Sequence, residues 1–475
     1  MSGFSGVVTT GIYCRPGCGA RPHERNVRPF ATAAAAEAAG YRACLRCRPY
    51  RSEPPLSWSA PELVCRAVQL VLDGGLDDGC TEHDLGARLG ISARHLRRLF
   101  ATHLGASPDQ LARSRRAHFA RRLLDDTDMT VTQVAFASGF RSVRQLNRAC
   151  HELFRGAPRE LRARRRVADR LVTDGGLALR LPYQPPLDWE VMLSYFRARA
   201  IAGVEDVSED VYRRTVMIDG DPGVIELSRG SEEHLLLRAH LPHWEGLIHH
   251  AQRARRVFNL DADMGAVLER LGGDPLLGQL LQVRPGLRAP GAWDPFEIGV
   301  RAIVGQQVSV AAANGIIARL VARTGMAVPG LRQLRLTHLF PAPSDLAHAD
   351  LGGLGLTAAR ARAVGAFARA VAAGHIDLDR SRTLEELTGS ITATAGLGPW
   401  TAHYVALRLG EPDAFPAGDL GLRRALARAT GDSVTTSRAA QLAEPWSPHR
   451  AHAAAHLWLA QATPRLSRRA GSACQ

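Results

Sequence analysis

The sequence predicts a multidomain chain with four folded regions: a small cysteine-rich α+β region, an all-α region, an α+β region with an antiparallel sheet, and a second all-α region. The chain has 475 residues, which at about 100–200 residues per domain suggests roughly three domains. Four cysteines lie before residue 50, and strand-like runs cluster within residues 175–292. Helical patterns broken by glycine and proline fill residues 61–166 and 293–463.

Every basic residue of this chain is an arginine. The sequence holds 60 basic and 46 acidic residues, and no lysine. Coding bias is the simplest cause in a chain so rich in alanine and glycine. Whatever its cause, the absence excludes Schiff-base and pyridoxal chemistry on lysine and a lysine-based phosphate-binding loop. The planar arginine side chain remains well suited to binding phosphate.

The positive charge is concentrated at the front of the chain. Residues 1–170 hold 28 Arg and 16 acidic residues, a net +12, and residues 171–475 hold 32 Arg and 30 acidic residues, a net +2, for +14 in all. This asymmetry favours a polyanion partner over a merely solvated basic surface. The sequence shows no apolar run of about 18 residues and no signal-like segment at its start. We therefore expect a cytoplasmic protein with no membrane partner.

The first predicted domain, residues 1–50, contains a cysteine pattern typical of a zinc site. The pattern is C-x3-C followed by C-x2-C, with 25 residues between the pairs, and consists of Cys14, Cys18, Cys44 and Cys47. Four thiolates suit a tetrahedral Zn²⁺, which would supply folding free energy to so small a core. The alternatives are two disulfides, which a reducing cytosol disfavours, or four unrelated buried thiols. The other cysteines are isolated, and we expect them to be ordinary buried or incidental residues: Cys65, Cys80, Cys150 and Cys474.

The sequence around these cysteines is similar to the N-terminal domain of the Ada adaptive-response family. The similarity is carried by TTGIYCRPGCGAR (9–21), ERNVRPF (24–30) and AAEAAGYRACLRCRP (35–49). It implies that all four cysteines bind zinc and that Cys14 accepts a methyl group from a DNA methylphosphotriester. A zinc-bound thiolate is nucleophilic at neutral pH, and its methylation would remove a charge that repels DNA phosphate. Only nine residues precede Thr10, fewer than in the family, so we expect an N-terminally short domain in which zinc binding is implied more firmly than methyl acceptance.

Residues 61–166 follow a Pro- and Ser-rich linker at 51–60 and hold two copies of a helix-turn-helix pattern, at 84–105 and 131–162. Gly90 and Gly139 stand at the turns, and Ser92 and Ser142 stand where they cap the second helix. The second helices offer polar and arginine side chains suited to the major groove: Arg94, His95, Arg97 and Arg98 in one copy, and Arg141, Arg144, Gln145 and Arg148 in the other. A helical bundle with a solvated basic face is the alternative.

The two copies together resemble the AraC-type DNA-binding domain. They lie about 50 residues apart, and the second ends in FRGAPRELR (154–162) before the arginine-rich run at 162–166. The resemblance covers residues 61–166 and fits an Ada-like order, in which this domain follows the zinc domain. It implies duplex DNA as a partner, transcription regulation in a bacterium, and RNA polymerase as a further partner.

Residues 175–292 are predicted to form an α+β domain with an antiparallel sheet. The alternating segment LALRLPY opens it, and three strand-like runs follow at 211–219, 223–229 and 233–241. Asp, Gly and Pro turn signals separate these runs. Helices are expected at 188–200 and about 244–257.

The strongest catalytic signal lies in residues 395–426. AGLGPWTAHYVALRLG (395–410) predicts a hairpin turn at Gly396 and Gly398 and a helix from about Pro399. Glycines let backbone amides approach DNA phosphate without reading base sequence, and a monovalent cation can bridge the contact. A tight helix connection is the alternative. FPAGDLGLRRAL (415–426) then places Asp419 at a helix start, where a lone aspartate is usually an N-cap.

The hairpin and the aspartate together resemble the helix-hairpin-helix/GPD glycosylase superfamily. The segment DPFEIGVRAIVGQQVSVAAA (294–313) narrows the resemblance to AlkA-like 3-methyladenine glycosylases, over residues 175–460. It implies that Asp419 is the essential aspartate, which stabilises positive charge on the sugar as the glycosidic bond breaks. It also implies that three aromatic residues line the pocket for a flipped, electron-poor alkylated purine, with core packing as the alternative for the last: Trp400, Tyr404 and Trp458.

The resemblance also implies DNA contacts in the hairpin and in the segment before it: Gly396, Gly398, Thr401, Gln306 and Gln307. The two glutamines align near the wedge that fills the space left by the flipped base, although AlkA has leucine where this chain has Gln307. Superfamily members that also cut the DNA strand carry a lysine where this chain has Trp400. An iron–sulfur cluster would need four cysteines near the C terminus, where only Cys474 stands, so we expect none.

We therefore predict a fusion of an Ada-like methylation sensor, an AraC-type regulator and a monofunctional glycosylase of the 3-methyladenine glycosylase II type. Its expected role is base excision repair of alkylation damage in nucleoid-associated DNA. The rival prediction is a non-enzymatic, alkylation-responsive regulator whose glycosylase-like part only binds DNA.

Overall fold

The computed structural model describes residues 3–52, 60–173 and 175–462, which fall into two units. The first unit consists of residues 1–184 and 233–255, and the second of residues 185–232 and 256–475. None of the described helices is long and apolar enough to cross a membrane. The predicted linker at 51–60 lies mostly outside the described residues, as does Cys474.

The first unit begins with a four-stranded sheet in the order β3-β1-β2-β4. Its elements are β1 (Phe4–Val7), β2 (Ile12–Cys14), β3 (Val27–Phe30), α1 (Ala33–Ala38) and β4 (Arg42–Ala43). Strands β2 and β4 are parallel, with Tyr13 opposite Ala43. Residues Cys14 and Cys44 come next along each strand, so the register brings their side chains to the same edge of the sheet.

Seven helices follow in the first unit and confirm the two helix-turn-helix patterns. They are α2 (Glu62–Leu72), α3 (Glu82–Arg88), α4 (Ala93–Leu104), α5 (Pro108–Asp126), α6 (Val131–Ala137), α7 (Val143–Phe154) and α8 (Pro158–Ala163). Gly90 and Gly139 take φ of +70° and +77° at the turns, a conformation that glycine adopts without steric cost. Ser92 and Ser142 accept hydrogen bonds from the N–H groups of His95 and Gln145, as N-caps do.

A buried cluster of aspartates and arginines joins the cysteine-rich region to α5. Arg51 pairs with Asp125 at 3.1 Å and with Asp126 at 3.3 Å, and the Tyr50 hydroxyl donates to Asp125 at 3.2 Å. Further pairs link this cluster to the segments on either side of it: Arg48 with Asp169, Arg121 with Asp125, and Arg180 with Asp126. Breaking a buried ion pair costs about 3–5 kcal/mol, so this cluster holds several segments of the first unit together.

The predicted α+β region contributes to both units. In the first unit, β5 (Leu177–Pro182) pairs antiparallel with β9 (His234–His240), and α10 (Leu247–Val257) follows. In the second, α9 (Trp189–Arg197) precedes an antiparallel meander of β6 (Glu205–Ser208), β7 (Val211–Ile218) and β8 (Asp221–Ser231). The three predicted runs are therefore strands, and β6 is a strand that the sequence analysis missed.

The rest of the second unit is helical, as predicted. Its helices are α11 (Met264–Leu271), α12 (Gly278–Val283), α13 (Pro295–Val304), α14 (Val310–Thr324), α15 (Pro343–Ala347), α16 (Ala358–Ala372), α17 (Leu384–Thr392), α18 (Pro399–Arg408), α19 (Leu420–Thr430), α20 (Thr436–Ala443) and α21 (Arg450–Ala462). One apolar core runs through them, and α13 is almost wholly buried within it. This core fixes the turn before α18 and the N-terminus of α19, where the predicted site residues lie.

Candidate functional site

The four cysteines of the first unit meet in one cluster. Their sulfur atoms all lie within 4.8 Å of one another, and the cluster consists of Cys14, Cys18, Cys44 and Cys47. Burial, together with the neighbouring thiols, raises the pKa of Cys47 to about 12 and raises that of Cys14 well above its usual range. A divalent cation would offset the charge of four crowded thiolates. The donor set therefore fits a tetrahedral Zn²⁺ site.

The second helix of each helix-turn-helix copy presents arginines to solvent. Arg94, Arg97 and Arg98 are exposed on α4, and Arg144 and Arg148 are exposed on α7, while His95 is half-buried. Arg97 pairs with the buried Glu82, so part of its charge is neutralised within the protein.

In the second copy, Gln145 is exposed on α7 as predicted, whereas Arg141 is not on the helix. Arg141 precedes the N-cap Ser142, so it lies before α7 and not on it. The side-chain oxygen of Gln145 accepts the N–H of Arg141 at 3.0 Å and is thus used within the helix start. The short polar segment before α7 ends where the capping serine begins the helix, which is why Arg141 falls outside.

In the second unit, the segment between α17 and α18 has the predicted hairpin form. Gly396 has φ +86°, and Gly398 is the N-cap of α18, which begins at Pro399. A Cβ at Gly396 would lie 3.0 Å from the Cβ of Ala363, so both the dihedral and the space favour glycine. Gly398 has open space around it, so its backbone is accessible.

The two glutamines near the hairpin have different environments. The Gln306 amide donates to the Thr401 hydroxyl at 2.9 Å and to the Gly396 carbonyl at 3.5 Å, so it braces the hairpin from within. Thr401 is itself buried, which leaves its side chain no surface for DNA. Gln307 is exposed between α13 and α14 and has φ +56°, which is rare for a residue with a side chain. Of the two, Gln307 is the one that is exposed.

The carboxylate of Asp419 is held by three donors. Asp419 is the N-cap of α19 and accepts the N–H of Leu422 at 3.0 Å. The indole N–H of Trp400 donates to one carboxylate oxygen at 3.0 Å, and that of Trp458 donates to the other at 3.0 Å. A capping role needs only the first of these bonds, so the two indoles fix the orientation of a carboxylate that remains half-buried at the surface of the core.

The three predicted aromatic residues surround this carboxylate. Tyr404 stacks on Trp400, with ring centroids 5.6 Å apart and an interplanar angle of 17°. Trp458 meets Tyr404 edge to face at 6.1 Å. All three rings are half-buried, and Tyr404 and Trp458 pack at the margin of the core. The structure thus brings together Asp419, Trp400, Tyr404 and Trp458, from three separate helices, in one half-buried aromatic cluster.

Two residues behind this cluster, Arg408 and Tyr195, were missed by the sequence analysis. Arg408 donates to the Tyr404 hydroxyl oxygen at 3.1 Å and to that of Tyr195 at 3.2 Å. The guanidinium of Arg199 lies 3.9 Å from the centre of the Tyr195 ring. Arg408 stands four residues after Tyr404 and eight after Trp400, so helical spacing alone could have placed it on the same face of α18. Tyr195 has no such local signal.

Comparison with known families assigns a description to each region. Residues 2–50 match the metal binding domain of Ada, and residues 85–164 match a helix-turn-helix domain. Residues 178–294 match the AlkA N-terminal domain, and residues 300–448 match the HhH-GPD superfamily of base excision DNA repair proteins. The domain order predicted from the sequence is the order of these matches.

Two relatives with known names cover the chain to different extents. The chain is 40% identical over 458 residues, 95% of its length and 91% of the relative's, to the probable bifunctional transcriptional activator/DNA repair enzyme AlkA of Mycobacterium tuberculosis (strain CDC 1551 / Oshkosh). It is 33% identical to DNA-3-methyladenine glycosylase 2 of Escherichia coli (strain K12), over 58% of this chain and 95% of the relative. Among solved structures, the 3-methyladenine DNA-glycosylase from Archaeoglobus fulgidus shares the fold over 60% of this chain and 98% of its own, with a TM-score of 0.53 and 24% identity.

Proposed function

Because the chain belongs to the AlkA family of bifunctional transcriptional activators and DNA repair enzymes, we propose that its second unit excises alkylated purines, above all 3-methyladenine, by hydrolysis of the N-glycosidic bond. The observation that carries this proposal is the Asp419 carboxylate, which two indole N–H groups and one backbone N–H hold beside a cluster of three aromatic rings. The first unit contributes a zinc-bound sensor and a helix-turn-helix domain that bind DNA.

Asp419 acts on the sugar and not on the base. As the bond between base and sugar lengthens, positive charge develops on the sugar ring, and a fixed carboxylate beside that ring stabilises the charge. The three donors hold the carboxylate in one orientation before substrate arrives, so little reorganisation is needed during the reaction. The same carboxylate can orient the water that completes hydrolysis.

The aromatic rings act on the base. Trp400 and Tyr404 present stacked, electron-rich faces, and alkylation makes a purine electron-poor and often cationic. Such a base gains more from these faces than a normal base does. It also leaves the duplex at a lower cost when damage has weakened its stacking or pairing. Gln307 is exposed and has a φ that is rare for a residue with a side chain, which supports the proposal that it occupies the space left by the flipped base.

Base release from alkylated duplex DNA tests the proposal. We expect wild type to release 3-methyladenine and Asp419→Asn to lose roughly 100-fold or more in single-turnover rate. Asp294→Asn is the matched control, because Asp294 is also an aspartate N-cap, at α13, and accepts the N–H of Glu297 at 2.8 Å. If wild type binds the duplex but releases no base, the proposed enzyme activity is rejected in favour of the rival prediction, a DNA-binding regulator.

We propose that this glycosylase does not cut the DNA strand. Strand cleavage by this superfamily needs an amine that forms a Schiff base, and the chain contains no lysine, with Trp400 at the relevant position. Trapping with sodium borohydride on DNA containing an abasic site should therefore give no covalent adduct through a side chain. An adduct mapped to the second unit would contradict the proposal.

We propose that Cys14 is the methyl acceptor of the zinc-bound sensor. The resemblance assigns this role to the first cysteine, whereas in the structure Cys14 and Cys44 are buried and Cys18 and Cys47 are half-buried. Mass spectrometry of the zinc-loaded chain after incubation with methylated DNA should find one methyl group on Cys14. A methyl group on Cys18 would move the role to that residue, and no methyl group at all would leave the zinc site purely structural.

Two smaller proposals concern partners. A monovalent cation at the hairpin around Gly396 would assist its contact with phosphate, so duplex binding by the second unit should strengthen when potassium replaces a bulky organic cation at equal ionic strength. The helix-turn-helix pair would recruit RNA polymerase at a promoter, and transcription in a purified system should rise with methylated, but not unmethylated, sensor. If one of these two responses is absent, the corresponding partner is rejected and the other proposal is unaffected.

A further inference from the structure

The residue behind the aromatic pocket, Arg408, is unusual for a buried cation. Its side chain is 3% exposed, and within the described chain its five hydrogen bonds go to backbone carbonyls and phenol oxygens, with no carboxylate among them. Burying an arginine without an anionic partner is costly. We therefore expect Arg408 either to position its neighbours or to supply positive charge to them.

The hydrogen bonds of Arg408 form two groups, those to backbone carbonyls and those to the two phenol oxygens. Its Nε donates to the carbonyl oxygens of Pro290 at 3.0 Å and Gly291 at 3.3 Å, and its Nη2 donates to Gly291 at 2.7 Å. These bonds fix the plane of the guanidinium. Nη1 is then left to donate to the hydroxyl oxygens of Tyr404 and Tyr195 together.

We propose that Arg408 is a positioning residue that sets lesion preference. By holding the hydroxyl oxygens of Tyr404 and Tyr195 together, it makes the Tyr404 ring favour cationic over neutral purines. The proposal rests on the glycosylase function proposed above, because it concerns the pocket of Asp419. It adds a residue outside that pocket's lining and a basis for choosing among damaged bases.

Because Tyr404 is stacked on Trp400, the protonation state of its phenol would affect a bound base. The Tyr404 ring lies nearly parallel to that of Trp400, which in turn donates to Asp419. A base that enters the pocket meets this stack. An increase in electron density on the Tyr404 phenol would therefore act on a base held against this stack, and an electron-rich phenol attracts a cation more than a neutral ring does.

The charges around Tyr404 favour such an increase. Burial raises the pKa of Tyr404, but the positive charges of Arg408, Arg199 and Arg301 and a hydrogen bond from Tyr195 outweigh burial and lower the pKa to about 8. Arg301 is itself paired with Glu205 and Glu297. Asp419, whose two oxygens bond to the indoles beside Tyr404, is the acidic group at the pocket and opposes ionisation.

A tyrosine titration tests the positioning without any turnover. Absorbance at 295 nm is followed against pH for the full chain, and the curve of Tyr404→Phe is subtracted from that of wild type. We expect the difference to show one tyrosine with a midpoint near pH 8, and Arg408→Gln to move that midpoint up by at least one pH unit. Arg319→Gln removes an arginine that donates to the Leu354 carbonyl oxygen and should leave the midpoint in place.

A second variant guards against misfolding of Arg408→Gln. Tyr195→Phe removes one hydroxyl and leaves Arg408 anchored, so it should raise the Tyr404 midpoint by a smaller amount while far-ultraviolet circular dichroism stays that of wild type. A Tyr404 midpoint near 10 in wild type, or one that neither variant moves, would overturn the proposal.

Lesion preference is tested with a flat cation and its neutral counterpart. N-methylquinolinium and quinoline serve as inhibitors of 3-methyladenine release, and the ratio of their inhibition constants is measured at pH 6.5 and pH 9. We expect the preference for the cation to rise about tenfold between pH 6.5 and pH 9 in wild type and to remain unchanged in Arg408→Gln. A flat ratio in wild type, or no inhibition by either probe, would refute the preference. A chain that shows the tyrosine midpoint but releases no base would instead refute the proposed function.

Discussion

Buried histidines on α21 should make the stability of the second unit depend on pH. His452 and His456 are 3% and 2% exposed, and neither ring nitrogen of His452, nor Nε2 of His456, has a hydrogen-bond partner in the described part of the chain. Burial lowers the pKa of His452 to about 3 and that of His456 to about 4. The same helix carries Trp458, whose indole orients Asp419, so loss of α21 would dismantle the pocket.

The sign and size of the effect follow from these pKa values. Both lie below the value of about 6.5 for histidine in the unfolded chain, so the stability from neutral burial is present above that pH and is lost as the pH falls toward the folded values. At pH 5.0 the unfolded histidines are protonated while the folded ones are still neutral. Relative to pH 7.5, this costs about 2 kcal/mol for each histidine and about 4 kcal/mol for both, a large part of a typical 5–15 kcal/mol.

The double variant His452→Leu/His456→Leu keeps the apolar bulk and removes both titrations. Urea unfolding is followed by tryptophan fluorescence at pH 7.5 and pH 5.0. We expect the free energy of unfolding of wild type to fall by about 4 kcal/mol more than that of the double variant. His375→Leu is the control, because His375 is exposed after α16 and should behave as wild type does. A double variant that loses stability on acidification as steeply as wild type would refute the reasoning.

Three further predictions concern other parts of the chain. Asp125→Asn should destabilise the first unit by about 3 kcal/mol, because it breaks a buried ion cluster, and zinc release to a chelator during urea unfolding measures this. Arg94→Gln with Arg144→Gln should make the plot of log affinity for duplex DNA against log salt shallower by about 1.8, measured by fluorescence anisotropy. Gly396→Ala should strain the hairpin by about 1–2 kcal/mol and lower the rate of base release at subsaturating DNA.

Each of these three substitutions has a matched control. Asp128 forms exposed pairs with Arg165 and Arg170, so Asp128→Asn should cost about 1 kcal/mol or less. Arg332→Gln removes an exposed arginine of the second unit and should leave the salt dependence of the helix-turn-helix pair unchanged. Gly389→Ala lies within α17 with open space around it and should stabilise that helix by about 0.5–1 kcal/mol. If a control matches its test variant, the specific contact is not the cause.

The turns and caps could be predicted because their signals are local. A glycine at a sharp turn and a serine before a helix act through their own dihedrals and nearest amides, and the structure has Gly90, Gly139, Ser92 and Ser142 in those roles. The helix starts at Pro399 and Asp419 were predicted in the same way, whereas the aromatic residues around Asp419 were implied only by the resemblance to a glycosylase family. The rings of Trp400 and Tyr404 stack because the two residues are four positions apart on α18.

Contacts between distant segments could not be predicted in this way. Tyr195 and Arg408 are 213 positions apart, and no pattern near either one indicates the other. Arg51 and Asp125 are likewise joined only by the folded structure. Gln306 is a further example, because the resemblance aligns it near the wedge, whereas in the structure its amide donates to the Thr401 hydroxyl. Side-chain direction is decided by partners that the local sequence does not contain.

The arginines show why total charge is an incomplete guide to DNA binding in this chain. Some of them are buried and bond to backbone carbonyls: Arg408 donates to Pro290 and Gly291, and Arg288 donates to Asn259 and Pro186. A guanidinium has five donors in one plane and can bridge several carbonyls at once, whereas an ammonium group is a single point of charge. A chain without lysine can therefore place cations in its core at positions where lysine would leave carbonyls unpaired. Buried arginines such as Arg408 count toward the net +14 but do not face solvent, so we expect the salt dependence of duplex binding to follow the exposed arginines of α4 and α7 and not the total charge.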